Sequence, residues 1–228
     1  GIFSPSEMVP WMMLSHTSGL PDTFEELGTL LRSGFRRRYV WEADALVDAH
    51  DGELYFEPGT GYRYSNANYV FLGIVLEGAT GTPVEKLLRR DILQPLGLDD
   101  TWFPPADAVP DRLVSGFDRD LMPYPAEHRA GQTSWSSLAW TSGALVATAF
   151  DVAAFTRALF ARDLLGAESL RLMLEFGPVP DSGEAWTGYG LGVVRAEIGG
   201  REYWGHEGVF IGFEGYALHD PQRQLQIA

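Results

Sequence analysis

Two short polar motifs, far apart in the chain, carry the residue types of an acyl-transfer site. Tyr64-Ser65-Asn66 follows a turn rich in proline and glycine, and His206-Glu207-Gly208 falls in a segment with the pattern of a β-strand. A serine hydroxyl is a weak nucleophile that needs a base within hydrogen-bond reach, and a lysine one helical turn later is one solution. A tyrosine phenol can carry a second proton, and the backbone N–H of an edge strand can stabilise an oxyanion. Tyr64 and the strand of His206 fit these last two parts of the scheme.

The serine and lysine that this scheme requires do not occur together anywhere in the 228 residues. The sole lysine is Lys86, and the residue three positions before it is Pro83. No Gly-x-Ser-x-Gly elbow takes the place of the missing pair. The sequence therefore predicts a proton carrier and an oxyanion strand without a nucleophile.

The pattern of apolar residues predicts the elements that position the two motifs. Tyr64-Ser65-Asn66 would open a helix, since residues 69–76 are apolar on every side, as in a helix buried between layers. Thr82-Pro83-Val84-Glu85 predicts a capping box at the next helix, and Asp151 predicts the cap of a later one. Alternation over residues 189–193, followed by further short strands with short connections, predicts an antiparallel sheet. Helices first and sheet last indicate an α+β fold.

We expect a single domain over residues 1–228. Its helix- and loop-rich lobe would occupy residues 1–175, and its antiparallel sheet residues 176–228. The last apolar strand runs to Ala228 without capping residues, and the chain enters its first helix almost directly. We therefore expect the fold to be incomplete at both ends.

The composition argues against several classes of protein. The chain has 31 acidic and 17 basic residues and a formal charge of −14, the opposite of the basic footprint that nucleic acid requires. The basic cluster at Arg32 and residues 36–38 is expected to be a solvated face. Without cysteine there is no thiol nucleophile and no disulfide. No run reaches the ~18–20 apolar residues of a membrane span, and the histidines lack metal-ligand spacing, so we predict no transmembrane segment and no metal.

A series of segments, taken in order, resembles one known superfamily over essentially the whole chain. The segments are Leu14–Asp22, Phe56–Thr60, Tyr64–Asn66, Pro95–Thr101, Ser142–Leu145 and Gly205–Gly208. They resemble the serine β-lactamase and D-alanyl-D-alanine carboxypeptidase superfamily, in its class C-like branch. The resemblance implies a helical lobe beside a five-stranded antiparallel sheet, an acyl-enzyme route without metal or organic cofactor, and a small-molecule or peptide substrate. Many relatives act outside the cytoplasm, which favours an extracytoplasmic compartment.

The resemblance also implies a role for each motif residue. Tyr64 looks like the proton-shuttling tyrosine of the family's second motif, and Asn66 like the residue that binds the substrate's amide and the active-site lysine. His206 takes the first place of the third motif, where many members have lysine. Gly208 leaves room for the substrate along the strand, and Val209 would present its backbone N–H to the oxyanion. Taken alone, Tyr64 and His206 would be a half-buried structural tyrosine and a hydrogen-bonded strand histidine.

Two departures from the family pattern bear on function. The family's Ser-x-x-Lys lies upstream of the segment that begins at Leu14, so truncation at both ends is the simplest explanation of its absence. The alternative is a catalytically silent member that binds peptide or peptidoglycan-like ligands. Glu207, which we assign to substrate binding with Asn66 and Gly208, stands where many members have a hydroxyl donor to the ligand's carboxylate. An ionised carboxylate cannot donate and would repel such a ligand, which favours an ester, a neutral amide or a substrate with a free amine.

Overall fold

The computed structural model describes residues 8–22, 40–42, 53–104, 106–111, 113–118, 126–129, 133–179, 185–210 and 212–228. The predicted solvated cluster at Arg32 and residues 36–38 lies outside these ranges. The chain divides into two compact units. Unit 1 comprises Gly1–Leu87, Trp102–Asp111 and Gly131–Val146, and unit 2 comprises Leu88–Thr101, Arg112–Ala130 and Ala147–Ala228. The division after residue 175 that the order of elements indicated stays a prediction.

Unit 1 is mainly helical. Its described elements are α1 (Pro10–Leu14), α2 (Ala67–Thr80), most of α3 (Val84–Leu88), and α5 (Thr133–Ala139) with the following 3₁₀ turn Trp140–Ser142. Helix α1 begins with Pro10 at its first position, where proline's missing N–H costs nothing. The helix α1 and the 3₁₀ turn both pack against α2, around buried Met13, Val70 and Leu138.

Unit 2 contains shorter helices and most of the strands. The chain passes from α3 through a π-helical turn to α4 (Gln94–Leu96), and later forms α6 (Ala149–Phe160) and α7 (Ala167–Met173). The two-residue strands β1 (Thr101–Trp102) and β4 (Val146–Ala147) each have one residue in either unit, and within unit 2 β2 (Ser115–Asp118) pairs with β3 (Ala126–Arg129).

The third sheet of the described residues has five antiparallel strands in sequential order. These are β5 (Trp186–Tyr189), β6 (Val194–Ile198), β7 (Arg201–Phe210), β8 (Phe213–Asp220) and β9 (Leu225–Ile227). Helix α6 packs against β8 and β9, with the Phe160 ring stacked on His219 at 4.6 Å between centroids. The helices and this antiparallel sheet confirm the predicted α+β class.

The two neighbours of β7 pair with different parts of that strand. Strand β6 pairs with Arg201–Gly205, whereas β8 pairs with Trp204–Phe210. The β6–β7 turn consists of Gly199 and Gly200, whose φ angles of 60° and 73° are the left-handed values that a two-residue type I′ turn requires. The second half of β7 therefore extends beyond its register with β6, and this half carries His206-Glu207-Gly208.

Three sequence-based expectations about these elements need correction. The N–H of Val84 at the start of α3 is capped by the Glu77 carboxylate at 2.8 Å rather than by Thr82. Thr148 caps α6, accepting the Asp151 N–H at 3.2 Å, while the Asp151 carboxylate accepts from Asp100 N and Thr101 Oγ1. The supposed strand over residues 189–193 is the end of β5 and the turn into β6.

The helix α2 also differs from its predicted environment. Val70 is fully buried, but Val75 and Leu76 are 45% and 43% exposed, so the helix is not buried on every side. Within the described residues, no helix combines the length and apolar character needed to cross a membrane.

Candidate active site

The segment Leu14–Asp22 holds the Tyr64-Ser65-Asn66 motif in place within unit 1. The backbone N–H of Arg63 donates to the His16 carbonyl at 3.1 Å, and the Ser65 hydroxyl donates to the Pro21 carbonyl at 3.0 Å. Ser18, which is completely buried, donates from its hydroxyl to the Asn68 side chain. Ser18 is thus an internal structural residue. The segment thus supports the motif through partly or fully buried hydrogen bonds.

His16 is the centre of this support. Its Nδ1 faces two donors, the Ser65 N–H at 3.2 Å and the Asn68 Nδ2 at 3.1 Å. Because a backbone N–H and an amide NH₂ only donate, Nδ1 must accept and the imidazole proton is on Nε2. The His16 ring lies against the Tyr64 ring, with 4.1 Å between centroids and 33° between planes. A buried histidine therefore fixes both the backbone and the ring of the second motif.

Asn66 is oriented by a residue that we did not single out from the sequence. Its Nδ2 donates to both carboxylate oxygens of Asp22, at 3.2 and 3.0 Å. A carboxylate only accepts, so the amide nitrogen must face Asp22 and the amide oxygen must point away. Asp22 therefore determines that Asn66 presents an acceptor, Oδ1, on its other side.

Gly19 allows the supporting segment to approach the neighbouring chain closely. Its φ is +80°, and a Cβ atom built there would overlap the carbonyl oxygen of Phe56. The Gly19 carbonyl accepts the N–H of Tyr55 at 2.8 Å. Glycine at this position is required both by the left-handed backbone and by the lack of space.

The direction of the backbone groups along β7 follows from its two turns. Two residues separate Ile198 from Arg201, and two separate Phe210 from Phe213, so each flanking pair is a hydrogen-bonded pair. Bonding then alternates along an antiparallel ladder. Both turns give the same result: even-numbered residues of β7 direct N–H and C=O toward β8, and odd-numbered residues direct them toward the β6 side.

The N–H of Val209 is consequently directed away from β8, toward the side on which β6 pairs with Arg201–Gly205. Val209 itself lies beyond those paired residues. Val209 is 74% exposed. At Gly208 and at its cross-strand partner Gly215, an added Cβ would meet no heavy atom within 4 Å among the described residues. A backbone N–H directed away from the paired strand, next to a segment without side-chain bulk, is the geometry that an oxyanion donor needs.

Glu207 and its neighbours give this part of the sheet an acidic character. Glu207 stands opposite Tyr216, and Val209 stands opposite Glu214. The Tyr216 hydroxyl donates to the Glu214 carboxylate. Two carboxylates thus flank Val209 on one face of the sheet, and neither can donate a hydrogen bond when ionised.

His206 is held by hydrogen bonds at both ring nitrogens. Nδ1 lies 2.5 Å from the carbonyl oxygen of Glu207, and Nε2 lies 3.1 Å from the hydroxyl of Tyr189. Burial lowers the pKa of His206 below its ordinary value of 6.5, against the weaker opposing effect of the Glu207 carbonyl. The imidazole is therefore neutral at pH 7, unlike the lysine that many members have at this place.

The two motifs lie in different compact units, Tyr64 and Asn66 in unit 1 and His206 to Val209 in unit 2. The sequence did not identify His16, Asp22 and Tyr189 as site residues. The family-like segment Leu14–Asp22 could have indicated the first two, whereas no sequence signal indicated Tyr189. Among the described residues no group of three His, Asp or Glu side chains could hold a metal ion.

The chain belongs to the Beta-lactamase family, whose model matches residues 12–228. It is 32% identical over 104 residues to Penicillin-binding protein 4* of Bacillus subtilis, an alignment that spans 44% of this chain and 22% of that protein. It is 33% identical over 127 residues to Esterase EstB of Burkholderia gladioli, spanning 52% of this chain and 31% of that protein. The chain thus matches less than a third of the length of these curated relatives.

Solved structures share the fold more completely. The D-stereospecific amidohydrolase from Streptomyces sp. superposes with a TM-score of 0.87 at 27% identity, covering 96% of this chain and 66% of that one. D-amino acid amidase from Ochrobactrum anthropi SV3 gives a TM-score of 0.83 at 27% identity, covering 97% and 63%. These similarities confirm the predicted superfamily and its fold, and three of the named relatives are an esterase, an amidohydrolase and an amidase.

Proposed function

We propose that the full-length protein is a serine hydrolase that cleaves an ester or an amide through an acyl-serine intermediate. A serine upstream of Gly1 attacks the carbonyl, its neighbouring lysine and Tyr64 move protons, and the Val209 N–H stabilises the oxyanion. Water then releases the acid. The observation that carries the proposal is the direction of the Val209 N–H, which points away from β8 at a position beyond the residues that pair with β6. The neighbouring residue, Gly208, has no side chain to obstruct a substrate.

The acidic surroundings of Val209 favour a substrate without a carboxylate at this position. Glu207 stands where many members place a hydroxyl donor to a substrate carboxylate, and Glu214 lies on the same face of the sheet, so a carboxylate of the substrate beside Glu207 would be repelled. An ester, a neutral amide or a substrate with a free amine fits better. The amidohydrolase, amidase and esterase among the relatives support this choice over a dedicated β-lactamase.

The role of Tyr64 is tested with Tyr64→Phe in the full-length protein. Loss of the phenolic proton carrier should lower kcat/KM for a nitrophenyl ester by about 10²-fold or more. Tyr203→Phe is the matched control, since Tyr203 lies in the part of β7 that pairs with β6. Equal rates for Tyr64→Phe and the wild type would contradict the assigned role.

The substrate class is tested with Glu207→Thr, which restores a hydroxyl donor. We expect acylation by penicillin to become about tenfold faster or more, because the repulsion of the carboxylate is replaced by a hydrogen bond. Glu214→Thr removes a carboxylate from the same face without changing the motif and serves as the control. Rapid acylation of the wild type would count against an ester, neutral-amide or amine substrate.

A catalytically silent binding protein is the second candidate, because none of the 228 residues forms Ser-x-x-Lys. The two candidates differ in the coding sequence upstream of Gly1 and in covalent labelling. A fluorophosphonate that labels a serine in an upstream Ser-x-x-Lys supports the hydrolase. Reversible peptide binding without labelling or turnover supports the silent member.

A further inference from the structure

A phenol, an imidazole and a backbone carbonyl form a continuous hydrogen-bonded chain in unit 2. The Tyr189 hydroxyl lies 3.1 Å from His206 Nε2, and His206 Nδ1 lies 2.5 Å from the Glu207 carbonyl oxygen. A carbonyl only accepts, so Nδ1 must carry a proton. In a neutral imidazole Nε2 then accepts, and the Tyr189 hydroxyl is the donor. The geometry thus selects one of the two neutral tautomers.

Tyr189 is held rigidly enough to act as a fixed reference. It is 3% exposed, and its backbone N–H and C=O both bond to Gly177, at 3.0 and 2.9 Å. On its other side it pairs with Val194 of β6. The Tyr189 ring meets the His206 ring edge to face, and the Trp186 ring meets the same imidazole at 5.7 Å. These contacts leave the hydroxyl little freedom to move away from Nε2.

The carbonyl at the end of this hydrogen-bonded series belongs to Glu207, which directly precedes Gly208 in β7. Glu207 and Val209 direct their backbone groups to the same side of the strand, and Gly208 lies between them. A Cβ built at Gly208 would meet no heavy atom within 4 Å among the described residues, and glycine lacks the backbone restraint that a Cβ supplies. The hydrogen bond from His206 to the Glu207 carbonyl restrains the Glu207–Gly208 peptide, which directly precedes the peptide that carries the Val209 N–H.

We propose that Tyr189 is a positioning residue of the third motif, holding His206 in the Nδ1–H tautomer so that the imidazole orients the Glu207–Gly208 peptide, which directly precedes the peptide that carries the Val209 N–H. His206 then acts through the backbone rather than by contributing a positive charge to the substrate. The tautomer and its dependence on Tyr189 stand independently of the enzymatic proposal. Only the effect on reaction rate rests on the proposed hydrolase function.

The tautomer is tested by ¹⁵N NMR of the His206 ring in the full-length protein at neutral pH. We expect the wild type to show protonated Nδ1, and Tyr189→Phe to show a mixture that includes the Nε2–H form. Tyr203→Phe should leave the tautomer unchanged. A wild type with protonated Nε2, or a Tyr189→Phe variant that keeps the wild-type tautomer, would overturn the proposal. This readout decides the question even in a protein without turnover.

Two replacements of His206 test the same proposal if Tyr189→Phe does not fold. Asparagine keeps an N–H donor near the position of Nδ1, whereas glutamine places its donor near that of Nε2. In a hydrolase, His206→Asn should exceed His206→Gln in kcat by about tenfold, the value of one neutral hydrogen bond. Equal activity of the two His206 variants would contradict a positioning role, whether or not Tyr189→Phe folds. Where Tyr189→Phe does fold, it should lower kcat in the wild type by a similar factor and have no effect on His206→Asn, and additive losses would contradict the proposal.

Discussion

Replacing Val209 by proline removes a single backbone N–H from the proposed oxyanion site. The N–H of Val209 is directed away from β8, so the hydrogen-bonded pairs Gly208–Gly215 and Phe210–Phe213 are left intact. Proline is tolerated in a strand where its missing N–H faces away from the ladder, and it favours an extended preceding residue, which Gly208 already is. The substitution therefore separates the catalytic function of the N–H from its place in the sheet.

The expected effect of Val209→Pro on the free energy of unfolding is much smaller than its expected effect on catalysis. Val209 is 74% exposed, so loss of its side chain should change the free energy of unfolding by less than about 1 kcal/mol. Loss of one oxyanion donor typically lowers kcat by roughly 10²- to 10³-fold, equivalent to about 2.7–4 kcal/mol of transition-state stabilisation. Gly208→Pro removes an N–H that faces β8 and leaves its acceptor there unsatisfied, so it should destabilise the fold by about 1–3 kcal/mol.

The assay is steady-state hydrolysis of a nitrophenyl ester by the full-length protein, together with urea unfolding of each variant. Val209→Ala keeps the N–H and should retain nearly full activity, which makes it the matched control. Undiminished kcat in folded Val209→Pro would show that this N–H is not the oxyanion donor. Unfolding of Val209→Pro with a stable Gly208→Pro would show that the alternation along β7 is assigned in the wrong phase.

Two further predictions concern stability. Gly19→Ala should lower the free energy of unfolding by at least about 2 kcal/mol more than Gly81→Ala, since both glycines have positive φ but only Gly19 meets a backbone atom within van der Waals distance; urea midpoints that fall equally would contradict the steric argument. Burial lowers the pKa of His219 below 6.5, against the opposing charge of Asp220, so its unfolded form binds the proton more tightly. The contribution of neutral His219 to the free energy of unfolding should be fully present above about pH 6.5 and be lost as the pH falls through the folded pKa. The loss should be shallower in His219→Gln, and an identical pH dependence in that variant would refute the assignment.

The sequence predicted well those features that depend on local patterns. The short connections between successive apolar segments are short-range signals, and the predicted antiparallel sheet is confirmed. The family resemblance is confirmed as well, since its segments recur in order along the chain. The assignments of Tyr64, Asn66 and the third motif to catalysis or binding stay predictions.

Features that depend on distant partners could not be predicted. The hydrogen bond from the Ser65 N–H to His16 joins residues 49 positions apart, which no spacing rule reveals. The cap of Val84 comes from Glu77 on the preceding helix, so the nearer Thr82 was a reasonable but wrong choice. Likewise, the Asp22 carboxylate could be recognised as a partner of Asn66 only once both were placed in space.

The two short turns around β7 also constrain how this strand can change in length. Its ten residues begin with one that bonds toward β6 and end with one that bonds toward β8, so their number must be even. Inserting or deleting a single residue would rotate the Val209 amide to the wrong side or force a bulge, whereas a two-residue change preserves both turns. We infer that length variation in this strand is restricted to steps of two, a rule that applies equally to natural divergence and to grafting a new substrate-binding segment onto this sheet.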